Sequence, residues 1–373
     1  MLGTWMPFWW LWVEDHGFDK REIGILNTTM IVVRIATTPW ALQSAERQRR
    51  RRAALIAFAL GAAVLMLPMP IAASFAPMLL LHAVLSVAHS TQIPLIDAMT
   101  IRAAIADPSV RYARVRVWGS VAFLVATLGV GELQRHLGIG VVWWTIVLGF
   151  VATAIAGLAL RGVDHESDEG GDATAPRVSI RSLLAQPGFV RMLVASGLIQ
   201  ASHAAYYSYG SVHWRAAGLD ENQIGLLWAE GVGAEVLLFA FGRGFAERLG
   251  MLRLFLLGAA TSALRWAVLA GTTEFWTLAA VNALHAFSFG ATHLAAMGWI
   301  QANIARRAAA TAQGMLSAWS AGLGFALATA LLTWLYPSHG AVPAFGAMIV
   351  MAIAGGLVAL GLGPTSNARA PRA

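Results

Sequence analysis

Val141-Val-Trp-Trp-Thr-Ile-Val-Leu-Gly-Phe-Val-Ala-Thr-Ala-Ile-Ala-Gly-Leu-Ala-Leu160 is twenty residues without a charge. A run of that length matches the hydrocarbon thickness of a bilayer when wound as an α-helix at 1.5 Å per residue. It is continuous, so it does not show the alternation of period two that marks a barrel strand. Leu55–Pro68 reads the same way, and the rest of the chain repeats the pattern. Of 373 residues, 58% are hydrophobic and only 12% charged, with a mean hydropathy of +0.63. Soluble domains carry about 25% charged residues, which excludes that class. Twelve spans take about 240 residues, leaving about 130 for connections and tails. The expected fold is all-α: a polytopic membrane protein with twelve transmembrane helices and short loops.

Breaks in the apolar pattern place the spans near 1–16, 22–44, 53–73, 76–101, 115–135, 139–161, 188–213, 223–242, 252–272, 275–302, 308–336 and 341–363. The first is short: about 15 residues precede Glu14-Asp-His16, against the 17–25 needed to cross. Met1-Leu-Gly3 is therefore expected to begin inside the helix, with part of it missing. Between spans six and seven, Arg161-Gly-Val-Asp-His-Glu-Ser-Asp-Glu-Gly-Gly-Asp172 opens a polar, glycine-rich linker. It divides the chain into a six-helix bundle at 1–161, a cytoplasmic linker at 162–187 and a second six-helix bundle at 188–373.

Basic residues set the orientation. With both termini inside, twenty of the 26 Lys and Arg fall on the cytoplasmic side and four outside, while Arg34 and Arg265 lie within spans. That asymmetry fixes a termini-inside topology. It also accounts for the net charge of +7 and the pI near 10.7 without invoking nucleic acid. The chain has no cysteine, so thiolate metal sites and cysteine nucleophiles are excluded. No cluster of His and carboxylates has ligand spacing, and no metal or cofactor is expected.

The two bundles resemble each other. Gly17-Phe-Asp19 and Ile23-Gly-Ile-Leu26 recur 201 residues later as Gly218-Leu-Asp220 and Ile224-Gly-Leu-Leu227. The same shift maps Ala45-Glu-Arg47 onto Ala246-Glu-Arg248 and Trp118 onto Trp319. Two parallel six-helix repeats are the architecture of alternating-access transporters.

Ionisable groups inside spans are expensive and mark pathways or partners. Asp97 and Arg116 flank one short inner loop and form either a structural salt bridge or half of a site. Glu235 and Arg265 both lie near mid-span on neighbouring antiparallel helices, with Glu230 one turn away as a second geometric partner. A carboxylate near an arginine in low dielectric is what proton coupling requires. Arg34 joins this group. His82, His89, His203, His285 and His293 read as proton relays, as donors to a polar substrate, or as packing residues. The spacing of His285 and His293 sets both on one broad face of a regular helix. Tyr206, Tyr207 and Tyr209 offer aromatic and hydroxyl contacts or simply pack, and many of the fifteen tryptophans are expected at the membrane interfaces.

The strings Pro7-Phe-Trp9, Gly24-Ile-Leu26, Pro94-Leu-Ile-Asp-Ala98, Arg114-Val-Arg-Val-Trp-Gly-Ser120, His203-Ala-Ala-Tyr-Tyr207, Ala234-Glu-Val236, Leu264-Arg-Trp266 and His293-Leu-Ala-Ala-Met297 follow one another along the chain. In that order the chain resembles the major facilitator superfamily over essentially its full length. Within it the likeness is to the proton-symporter group, most closely the 3-phenylpropionic acid transporter branch and more distantly lactose permease. The resemblance implies proton-coupled uptake of a small organic solute, with aromatic carboxylates favoured and the proton as coupling ion. It implies substrate-binding roles for Asp97, Arg116 and Phe123, and functional roles for Arg265 and His285. The position where lactose permease carries its proton-bearing glutamate is Ser288 here, so Glu235 is expected to take that role, then Asp97. His203, Tyr207 and His293 complete the expected substrate contacts, with Glu230 and Arg34 beside the coupling pair.

The expected function is thus uptake of a small organic acid across the bacterial inner membrane by a monomer, with no enzymatic chemistry. Sugar or nucleoside symport and drug-efflux antiport share the fold and stay open, with a non-transporting membrane sensor as a remote alternative.

Overall fold

A computed structural model describes residues 1–47, 50–107, 109–160 and 179–362. Among the described residues there are helices and no strands. In order they are α1 (Leu2–Asp15), α2 (Lys20–Arg47), α3 (Arg51–Met66), α4 (Phe75–Ala106), α5 (Tyr112–Leu137), α6 (Gly140–Ala159), the short α7 (Ile180–Leu184), α8 (Phe189–Ala201), α9 (Ala204–Ala216), α10 (Glu221–Phe241), α11 (Arg243–Leu249), α12 (Met251–Gly271), α13 (Phe275–Asn282), α14 (Thr292–Asn303), α15 (Arg306–Ser317), α16 (Gly324–His339) and α17 (Ala341–Leu360). Residues 161–178, most of the expected linker, lie outside the described residues.

Nine helical segments among the described residues are long and apolar enough to cross a membrane. The other three expected spans are helical but short or broken. Span one is the fourteen-residue α1. Span seven turns at Ser202-His203 between α8 and α9, and span ten passes through a π-helix, Ala286–Ala291, between α13 and α14. A second π segment, Ala318–Leu323, joins α15 to α16. Single π turns inside α-helices concentrate at functional sites, and backbone irregularity at membrane depth needs protein around it to satisfy the freed groups.

The described chain forms two compact units. Among the described residues one comprises 1–160 with 206–229, and the other 179–205 with 230–362. In the first, α2 packs against α4 and α3 against α6, with α1 laid on α5 and α6. Trp5, Trp9, Trp12 and His16 recur at spacings of four, three and four, so they share one face of α1. Their rings stack, with centroids 4.6, 4.8 and 3.7 Å apart in succession. Trp5, Trp9 and Trp12 are buried rather than placed at an interface. Rings this large carry much of a core's packing energy, and here they fill the inside of the bundle.

In the second unit α12 packs against both α17 and the π segment of span ten, and α17 packs against α8. Phe189, Phe255, Trp299 and Ile300 lie in its core. Gly258 lets α12 come close: a methyl there would lie 2.0 Å from Thr292 Oγ1 and 3.5 Å from the Phe287 carbonyl. Small residues at such crossings are how membrane helices approach. Two turns further along α12 stands Arg265.

The repeat is visible in backbone detail. Gly17 and Gly218 turn the chain with φ of +88° and +94°. Each turn leads into a reciprocal capping box. Asp19 accepts from the Glu22 N–H at 2.8 Å while Glu22 accepts from the Asp19 N–H at 2.9 Å. Asp220 and Gln223 do the same at 2.8 and 3.0 Å. Each box satisfies two of the backbone donors that a helix start leaves open.

Candidate functional site

The second unit gathers one hydrogen-bonded group from α8, α10, α12 and the irregular part of span ten. Arg265 is fully buried. Its Nη1 donates to Ser288 Oγ at 2.8 Å and to His285 Nδ1 at 3.1 Å, and its Nη2 donates to Asn282 Oδ1 at 2.7 Å. On its far side His285 Nε2 lies 3.3 Å from Glu235 Oε2. Ser288 Oγ is also 3.1 Å from His203 Nε2, and His203 Nδ1 faces the carbonyls of Ile199 and Gln200 at 3.2 and 3.1 Å.

Donor and acceptor bookkeeping assigns the protons. Arg265 can only donate, so His285 Nδ1 must be a lone pair. The His285 proton then sits on Nε2 and is directed at Glu235. His203 donates from Nδ1 to backbone, so its Nε2 accepts the Ser288 hydroxyl proton. Both imidazoles are neutral in this arrangement, and His285 cannot take a second proton while Arg265 occupies Nδ1. Protonation of His285 and displacement of Arg265 are therefore one event.

Of the residues expected from sequence, the structure brings Glu235, Arg265, His285 and His203 together. Glu230 is half-buried on α10 and takes no hydrogen bond or ion pair among the described residues, which separates it from Glu235. His293 is exposed on α14, edge-on to Phe239 at 6.1 Å. The π segment between His285 and His293 breaks the progression of 100° per residue, so the face that a regular helix would give them is not shared. Asn282 and Ser288 belong to the site as ligands of Arg265. The sequence does not single out Asn282, and it marks Ser288 only as the departure from the lactose permease glutamate. Their signal is positional: they stand three residues before and after His285.

The first unit holds the remainder. Asp97 Oδ1 lies 3.6 Å from Arg116 Nη1 and accepts from Tyr112 Oη at 3.3 Å. Arg116 is 59% exposed and Asp97 32%, at the facing ends of α4 and α5. Phe123 is partly buried two turns further along α5. Tyr207 rests against Tyr206 and Trp228, with centroids 5.3 and 5.8 Å away. Tyr209 is buried and donates to the Lys20 carbonyl at 3.1 Å. Arg34 stands mid-way along α2 and belongs to this unit, whereas the Glu235 group belongs to the second.

Helical repeats of this kind, with a buried arginine–histidine–carboxylate group in one of them, define a multi-pass membrane transporter of the major facilitator type. The match to the MFS_1 like family runs over residues 1–347, and the chain belongs to that family. It is 29% identical over 338 residues to the probable 3-phenylpropionic acid transporter of Escherichia coli (strain K12), covering 91% of this chain and 88% of that one. It is 28% identical over 311 residues to the maltose permease of Geobacillus stearothermophilus, covering 83% and 78%. The fold matches a crystal structure of a point mutant of the nucleoside transporter NupG with a TM-score of 0.84 at 13% identity, covering 97% of this chain and 96% of that one. These relatives are transporters, and the chain is a transporter rather than an enzyme.

Proposed function

We propose that the chain takes up a small organic acid of the phenylpropionate type together with protons, by alternating access across the bacterial inner membrane. The observation that carries this is the Glu235–His285–Arg265 chain of contacts. Glu235 carries the proton; as a carboxylate it accepts from His285 Nε2–H, and its protonation removes that acceptor. A proton reaches His285 only at Nδ1, which Arg265 must first leave, so proton load is tied to a displacement between α12 and span ten. Ser288 and Asn282 hold the guanidinium in the other state. The 3-phenylpropionic acid transporter as a relative supports the substrate class. Phe123 and Tyr207 supply ring contacts, with the exposed His293 as a further polar one, and Asp97–Arg116 ties α4 to α5. His203, buried with both ring nitrogens engaged, serves the Arg265 group through Ser288 rather than the substrate. The protein works as a monomer with both termini in the cytoplasm and uses no cofactor beyond the coupling proton.

The test is uptake of labelled 3-phenylpropionate into proteoliposomes with an alkaline interior. Accumulation above equilibration that collapses with a protonophore is the expected result. Equal uptake without the gradient would overturn coupling. The maltose permease relative favours sugar symport as the second reading, and gradient-driven accumulation of maltose in place of the acid would establish it.

A further inference from the structure

The shift of 201 residues that relates the two repeats matches Glu235 with Arg34. The register runs without a gap from Ile23-Gly-Ile-Leu26 to Ala45-Glu-Arg47, so the correspondence is fixed on both sides of Arg34. One repeat carries an acid at this mid-span position and the other a base. Glu235 faces a histidine of span ten, and the corresponding span of the first unit, α4, carries His82 and His89.

These two histidines differ. His82 has both ring nitrogens engaged: Trp9 Nε1 donates to its Nε2 at 3.1 Å, and its Nδ1 lies 2.8 Å from the Met78 carbonyl. His203 and His285 are likewise engaged at both nitrogens. The His89 Nε2 is buried without a hydrogen-bond partner among the described residues. Leaving such a group unsatisfied is costly. The ring is nevertheless held in place, stacked on Trp5 at 5.0 Å and 27° with Phe150 edge-on at 5.9 Å. It is not fully enclosed, since the residue as a whole is partly accessible.

Arg34 stands beside it. α2 and α4 are joined by Ser86 Oγ donating to the Met30 carbonyl at 2.6 Å and by Thr38 Oγ1 meeting Ser90 Oγ at 2.8 Å. Arg34 is one turn from each of these contacts, and His89 is next to Ser90. The carboxylate carried by α4 is Asp97, two turns beyond His89 or ~12 Å along the axis, and it faces Arg116. The surroundings of His89 are thus cationic, with an unfilled imidazole nitrogen fixed between aromatic rings.

We propose that Arg34 and His89 form an anion site in the first unit that holds the carboxylate of the transported acid. This rests on the organic-acid reading above and assigns the substrate's charged end to one repeat and the proton group to the other. A guanidinium offers two parallel N–H groups to a carboxylate, and a neutral imidazole adds a third donor.

The experiment is binding to the purified protein of 3-phenylpropionate against its uncharged amide, with the thermal midpoint of each variant as a check on folding. Wild type should prefer the carboxylate by about tenfold or more, ~1.4 kcal/mol per decade. Arg34→Gln should bind the two compounds equally, and His89→Ala should lose part of the preference. Arg34→Lys guards against loss of the fold: it keeps the charge but not the fork and should retain a reduced preference. Unchanged preference in folded Arg34→Gln or in Arg34→Lys would overturn the site while leaving organic-acid transport standing. Wild type that binds neither 3-phenylpropionate nor benzoate would overturn both.

Discussion

α2 and α10 begin alike and end with different chemistry. Each follows a glycine in the left-handed region, opens on an aspartate capping box and continues through an Ile-Gly-hydrophobic-Leu turn. Further along the helix the repeats part, with Arg34 on one and Glu235 on the other. In the second unit the carboxylate meets His285 and through it Arg265. In the first, Arg34 lies on the helix that packs against α4 beside His89, whose Nε2 is open among the described residues. The scaffold is held in common because caps and turns specify helix starts whatever the cargo. The mid-span residue lies outside those caps and turns and is free to differ between the repeats.

The largest effect expected from this contrast is at Glu235. Glu235→Gln keeps size and hydrogen bonding but cannot take up or release a proton. Gradient-driven accumulation of 3-phenylpropionate should fall to simple equilibration, while exchange of labelled for unlabelled substrate across the membrane persists. Arg34→Gln should do the reverse, weakening binding in every assay without uncoupling what remains. If both variants fail in the same way, the division of labour between the repeats is wrong.

Ser288 comes next. Ser288→Ala leaves His203 Nε2 without its donor and removes one acceptor from Arg265. The loss should lie at about 1–3 kcal/mol, the cost of buried polar groups left open, and appear as a lower thermal midpoint. Ser288→Thr keeps the hydroxyl and should recover part of it. A full midpoint in Ser288→Ala would show that the hydroxyl does not bridge the two groups.

That residue also shows how far the sequence can be read. Val141–Leu160 and its counterparts announce helical spans because a bilayer is what accommodates twenty apolar residues in a row. Arg265, His285 and Glu235 are legible because ionisable groups within a span are too costly to be incidental. Ser288 and Asn282 are neutral, and neutral polar residues in membrane helices commonly bond back to their own backbone. Thr261 and Thr329 both do so here, to the carbonyls of Leu257 and Phe325. Apart from its spacing from His285 and the departure from lactose permease, nothing in the local pattern sets Ser288 apart from them. The π turn at Ala286–Ala291 is equally hidden, since an apolar run has the same composition whether its carbonyls are reached at four residues or five. For that reason the sequence alone sets His293 on the face of His285, and the structure does not.

The capping boxes test the shared half of the comparison. Asp19→Ala and Asp220→Ala each remove one reciprocal cap, and each should cost about 1 kcal/mol. The two costs should agree, because the bonds at the two sites differ by no more than 0.1 Å. A large difference would mean that one box carries more than the start of its helix.

The smallest effect is at another pair that the repeat makes equivalent. Glu14 and Arg215 are also 201 residues apart, at the outer ends of spans one and seven, and Arg215 Nη2 donates to Glu14 Oε2 at 2.6 Å within the first unit. Both side chains are 24% exposed, so solvent still screens them. The coupling energy between Glu14→Gln and Arg215→Gln in a double-mutant cycle should be about 0.5 kcal/mol, within the ~0.2–1 kcal/mol typical of solvent-screened pairs. Exchanging the charges, with Glu14→Arg and Arg215→Glu together, should restore most of the stability that either change alone removes. If the exchanged protein is no better than the singles, the pair acts through its particular hydrogen-bond geometry rather than through charge, and the repeat-related positions are matched by shape alone.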